Sequence, residues 1–175
     1  MMNSPAELVF LDSNIFIYAE ARDEVQHEEA KPLRDLALTG QISACISPQV
    51  LSEFFSVLTH EGPRGPEKPL APGEAAALVR KYYESEDLVI IYPGPQMIEQ
   101  MLASLEAHPI SGARVHDVRL AATMAENGVS KIVTYDQGLF SQLPGIEVLG
   151  PSEFLQDQIR KEDGVREIEG DEDQT

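Results

Sequence analysis

The chain has no tryptophan and one cysteine, Cys45. One thiol excludes an internal disulfide. The four histidines, His27, His60, His108 and His116, have no zinc-like spacing, so a structural zinc site lacks ligands. The apolar setting SACIS reads Cys45 as a buried, inert thiol in a reducing cytoplasm. Basic residues are scarce too. Thirteen Lys and Arg stand against 30 Asp and Glu, for a net charge of −17. That balance argues against a passive nucleic-acid binder, which carries a basic footprint. It leaves room for an acidic metal site or a basic partner. No apolar run reaches the ~18 residues of a membrane span. The opening MMNSPAE has no basic segment of a signal peptide. A cytoplasmic protein without membrane contact is expected.

Several motifs are also missing. There is no Gly-rich phosphate loop of the P-loop or dinucleotide type, and no Ser-His-Asp arrangement stands out. The stretch FLDSN (10–14) has no second Asp two residues on, unlike an aspartyl-phosphate phosphatase. A receiver domain would need an acidic pair before its central Asp and a Lys after its last strand.

What is present is alternation. Short apolar runs occur at 8–11, 44–46, 88–92, 131–135 and 146–149. Stretches of helical periodicity lie between them, at 15–22, 26–39, 48–60, 73–86, 95–107 and 115–127, and Pro151 opens a last helix. Strands apolar throughout, alternating with helices, predict a parallel sheet covered on both faces. Ser47-Pro48 is a helix start and Gly128 a helix stop. The 175 residues suit one domain, expected over 1–160. Residues 161–175 read as an acidic, disordered tail; nine acids and three bases lie from Glu153 onward. The loop GPRGPEKPLAPG (62–73), with four prolines, is long for an α/β connection and reads as a stiff excursion.

Four acids hold unusual places. Asp12 and Asp136 each end an apolar strand where a helix is expected to begin. Either is explained by an Asx turn or N-cap. Glu53 borders the apolar stripe of its helix beside Phe54, as a rim glutamate or a cleft-facing one. Asp117 starts the stripe Leu120, Ala121, Met124; a first-turn acid suits the helix dipole, but that does not account for its apolar face. Ends of parallel strands and starts of the following helices meet at one edge of such a sheet. Four carboxylates gathered there need a compensating cation, because like charges raise each other's pKa. Oxygen ligands suit Mg²⁺ or Mn²⁺.

The segments FLDSNIFIYA, SPQVLSEFFSVLT, GARVHDVRLAATM and IVTYDQGLF, in this order, resemble the PIN-domain nucleases, and within them the VapC-type toxins. The resemblance spans residues 8 to about 149. It implies an α/β fold, a three-layer α/β/α sandwich with a central parallel sheet. It implies a Mg²⁺- or Mn²⁺-dependent endoribonuclease whose catalytic and metal-binding acids fall on Asp12, Glu53, Asp117 and Asp136. Asn14 and Thr134 match polar positions that orient carboxylates or water. An RNA substrate, a small antitoxin and a homodimer are implied as partners. Arg114 and Arg119, with Arg64 and Lys68, are candidates for RNA backbone contacts or plain surface charge. One departure is Leu139, where relatives often carry a further Asp. It weakens that corner of the site and leaves open a catalytically silent binding module. An RNA-processing nuclease that is not a toxin is the third reading.

Overall fold

The structure is a computed structural model that describes residues 7–62 and 68–172, with side chains as far as Lys161. Arg64 and the centre of the proline-rich loop therefore lie outside the described residues. Five strands form one sheet: β1 (Val9–Leu11), β2 (Ala44–Ile46), β3 (Leu88–Ile90), β4 (Lys131–Val133) and β5 (Glu147–Leu149). All pairings are parallel, and the spatial order is β3-β2-β1-β4-β5. Every residue of β1 and β2 is buried. Successive strand residues point to opposite faces, so both faces of the central strands are covered. The edge strands β3 and β5 are part exposed. This is the expected three-layer α/β/α sandwich.

The helices are α1 (Ser13–Glu20), α2 (His27–Leu38), α3 (Pro48–Thr59), α4 (Pro72–Tyr83), α5 (Met97–Ala107), α6 (Val115–Glu126) and α7 (Pro151–Glu172). Six fall where periodicity placed them, with ends shifted by a few residues. The α1 helix starts early because Asp12 caps it, its carboxylate accepting from the Ser13 N–H. Prolines occupy the first turns of α3 and α4, where no intrahelical N–H is lost. α5 starts late, after Pro93 and Pro95, and the Glu126 carboxylate accepts from the backbone N–H groups of Gly94 and Gln96, both at 2.9 Å. A β-carbon on Gly94 would run into that carboxylate.

One expected helix is absent. No α-helix follows Asp136; only a 3₁₀ turn forms, at Phe140–Gln142. Gly138 lies between, and the Asp136 side chain turns onto its N–H at 3.4 Å, a weak local contact rather than a helix cap. The proposed boundary at residue 160 falls inside α7, whose backbone crosses it; side chains beyond Lys161 are not described.

The core joins strand residues such as Phe10, Cys45 and Ile132 to Phe16, Phe54 and Tyr82 from the helices. Those three rings pack edge to face, with centroids 5.0 to 6.5 Å apart. Cys45 is fully buried, and burial pushes its thiol up to about 12, as an inert cysteine requires. Among the described residues no helix is long and apolar enough to cross a membrane.

Candidate active site

The order in which strands are added reverses at β1. From there the chain builds β2 and β3 on one side, then β4 and β5 on the other. A crevice opens beyond the carboxyl ends at such a switch. Leu11 is in register with Val133, so the next residues, Asp12 and Thr134, lie side by side. The Asp12 N–H continues the ladder, donating to the Val133 carbonyl at 3.2 Å. A cleft of about 490 Å³ lies there, and all four acids line it: Asp12, Glu53, Asp117 and Asp136. Asn14, Ser13, Tyr18 and Tyr135 share its wall.

Asp12 is buried and held from three directions. Oδ1 accepts from the Ser13 N–H at 2.7 Å. Oδ2 accepts from the Thr134 hydroxyl at 2.6 Å and the Asn14 amide at 2.8 Å. Burial pushes its pKa up; the Thr134 and Ser13 bonds pull it back without cancelling that rise. Thr134 uses its full capacity. It donates to Asp12 and accepts from Asn14 Nδ2 at 2.9 Å and from the Asp136 N–H at 3.0 Å. One fully buried hydroxyl thus fixes Asp12, Asn14 and the backbone of Asp136 together. The polar positions Asn14 and Thr134, singled out in the sequence, are both in contact with Asp12.

Glu53 is half-buried on α3 and faces the cleft. Each of its oxygens has a neutral donor: Ser13 Oγ at 2.8 Å on Oε2, and Gln49 Nε2 at 2.8 Å on Oε1. Asp117, in the first turn of α6, shares its helix face with buried Leu120, Ala121 and Met124. Its pKa rises to about 6, first through burial, then through repulsion from Asp12, Asp136 and Glu53. Asp136 sits exposed at the rim. Leu139 turns inward and is buried, so that corner offers no second carboxylate.

The Arg114 and Arg119 side chains are exposed. Arg119 lines a groove of about 340 Å³ with His116, Gln49 and Ser52, and this groove shares Glu53 and Ser56 with the acidic cleft. The side chain of His116 is exposed; its backbone carbonyl accepts from Gln49. Sequence reasoning missed Ser13 and Gln49. Ser13 was within reach as the residue beside a capping Asp. Gln49 stands one helical turn before Glu53, a spacing that puts both on one face.

Among the described residues no salt bridge reaches any of the four acids. Their donors are hydroxyls, amides and backbone N–H groups. A set of hard oxygen ligands with no internal cation fits Mg²⁺ or Mn²⁺. No three acidic, histidine or cysteine side chains among the described residues are drawn together into a metal cage. The four carboxylates line one cleft without closing on a point.

The comparisons with known proteins bear on the family and the fold. The family described as PIN domain matches residues 9–146. Ribonuclease VapC24 of Mycobacterium tuberculosis is 28% identical over 128 residues, which cover 73% of this chain and 85% of that protein. Among solved structures, the toxin VapC20 of M. tuberculosis superposes with a TM-score of 0.58 at 16% identity, covering 77% of this chain and 94% of that one. The DNA-bound VapBC complex of Salmonella typhimurium gives 0.57 at 21% identity, covering 83% of this chain and 98% of its own. At these identities the structures speak for the fold.

Proposed function

The chain belongs to the PIN-domain family, and from that premise we propose that it is a divalent-metal-dependent endoribonuclease, the toxin of a toxin–antitoxin pair. The observation that carries the reading is the single cleft lined by Asp12, Glu53, Asp117 and Asp136, four carboxylates that no salt bridge reaches among the described residues. Asp12, Glu53 and Asp117 are proposed to hold Mg²⁺ or Mn²⁺, with Asp136 completing the set from the rim. A bound divalent ion would supply a water of lowered pKa and neutralise charge at phosphorus. The chain's own residues prepare for it. Thr134 and Asn14 fix the orientation of Asp12 and keep one rotamer. Ser13 does the same for Glu53. A carboxylate has about four acceptor positions, and Glu53 accepts from only Ser13 and Gln49, so it keeps acceptor capacity for a ligand.

RNA must approach an acidic surface, and Arg114 and Arg119 beside Asp117 are the proposed phosphate contacts. An antitoxin partner is supported by solved VapBC complexes of the same fold. A homodimer, a cytoplasmic setting and the division into a 1–160 domain and an acidic tail belong to the same proposal.

The test is cleavage of a labelled structured RNA pool with Mn²⁺, Mg²⁺ or EDTA, using wild type and an Asp12→Asn/Asp117→Asn double variant. Expected is metal-dependent cutting that falls by at least about a hundredfold in the variant, the several kcal/mol a metal site supplies. Equal cutting by both proteins sinks the site. In the same assay run over a salt series, Arg119→Ala should flatten the slope of RNA binding by about one unit. An unchanged slope removes Arg119 from the contacts. Leu139 keeps alive the silent binding module, which would show no Mn²⁺-induced rise in melting temperature.

A further inference from the structure

Glu53 and Asp117 stand on different helices, and one side chain joins those helices from the groove beside the cleft. Gln49 Nε2 donates to Glu53 Oε1 at 2.8 Å and to the backbone carbonyl of His116 at 3.0 Å. His116 is the residue before Asp117. Among the described residues this is the only hydrogen bond between α3 and α6. Both partners of Gln49 are pure acceptors, so only the amide NH₂ satisfies them; the reversed amide would set its oxygen against a carboxylate and a carbonyl. Both N–H groups are used, which fixes the side chain in one orientation. The other oxygen of Glu53 is held by Ser13 from α1. Glu53 is therefore clamped from two sides, and one clamp also ties down the first turn of α6.

We infer that Gln49 is a positioning residue that sets the spacing of Glu53 and Asp117, and through that spacing the affinity of the cleft for a divalent cation. This rests on the metal reading above. Asp117 and Glu53 line one cleft from different helices, and the Gln49 bridge is what ties those helices there. Without the tie, α6 is free to relax away from α3, and a cation must then draw the two acids together at its own cost. The effect falls on metal affinity, not on RNA contact, because Gln49 holds a carboxylate and a backbone carbonyl and carries no charge.

Gln49→Met keeps length and helix propensity but removes both donors. The experiment follows melting temperature and RNA cleavage across a Mn²⁺ titration for wild type, Gln49→Met and Gln41→Met, the last being an exposed glutamine elsewhere on the surface. In Gln49→Met the Mn²⁺ midpoint of both readouts should rise about tenfold, the usual scale for a group that orients a ligand. Cleavage at saturating Mn²⁺ and KM for RNA should return to wild-type values, and Gln41→Met should match wild type throughout. A midpoint within about twofold of wild type overturns the inference. So does a lowered metal-free melting temperature with an unchanged midpoint, which would make Gln49 a residue of the fold alone. If wild type itself gives no Mn²⁺ midpoint, the metal reading fails first and this inference falls with it.

Discussion

Two charged clusters lie at opposite ends of α1, and they are built on opposite terms. At the C-terminal end, Glu20 accepts from Arg34 at 2.7 Å and from the Tyr82 hydroxyl at 2.7 Å. Arg34 also grips Asp35 with two nitrogens, at 2.9 and 2.7 Å. Here the chain supplies its own counter-ion, and the charges tie α1, α2 and α4 together. At the N-terminal end, Asp12 joins Glu53, Asp117 and Asp136 around a cleft, and among the described residues no salt bridge reaches them. Charge gathered with its partner inside the chain serves the fold. In the second cluster, burial and neighbouring carboxylates raise the pKa of Asp12 and Asp117, and the charge is left for a ligand to neutralise. Clustered carboxylates therefore mean different things according to what faces them.

The largest expected effect breaks the first cluster. Arg34→Met should destabilise the protein by about 3 kcal/mol, because it leaves Glu20 part-buried without its cation. Urea unfolding measures this, and a loss under about 1 kcal/mol would show that Glu20 is already well solvated.

Next comes the second cluster. Mn²⁺ at a hundredfold over its Kd should stabilise wild type by about 2.7 kcal/mol and the Asp12→Asn/Asp117→Asn variant not at all. The two clusters also share α1, and Arg34→Met sharpens the contrast. If they are independent, the Arg34 variant keeps the whole Mn²⁺ gain although it starts less stable. A reduced gain would mean that α1 transmits strain from Glu20 to Asp12.

Much of this was legible in the sequence, for reasons that name its limits. The central strands are three apolar residues between turn signals, so LVFL, ACI and KIVTY announced themselves. Asp12 and Glu53 were readable because a carboxylate at a strand end or on an apolar stripe breaks a local pattern. Asp136 was found for a similar reason, but the helix expected after it was not there. Gly138 and a weak side-chain turn replace it. Ser13 and Gln49 stayed hidden because their roles are made by distant residues. Ser13 meets Glu53 forty positions along the chain, and Gln49 meets His116 sixty-seven positions along. Nothing in a sequence window reports such a meeting. Arg34 was equally silent, an ordinary arginine until α1 and α4 close over it.

The smallest expected effect concerns Asp117 alone, and its sign separates the two clusters most cleanly. Folding raises its pKa from the ordinary 3.8 to about 6. Between those values the native state binds more protons than the unfolded chain, so metal-free stability falls as pH rises through that window. The loss is complete above about pH 6. A shift of this size corresponds to about 3 kcal/mol by linkage, but Asp117 is only half-buried, and solvent screening reduces it to about 1 kcal/mol. Asp117→Asn removes the ionisation. In EDTA it should therefore be more stable than wild type by about 1 kcal/mol at pH 7.5, with the difference fading towards pH 4. An acid serving the fold, such as Asp35, whose pKa Lys31 and Arg34 hold down, should show the reverse sign on the same substitution. Chemical denaturation of both variants at the two pH values decides it. An Asp117→Asn protein less stable than wild type at pH 7.5 would place Asp117 with the structural acids and remove the strain on which the metal reading draws.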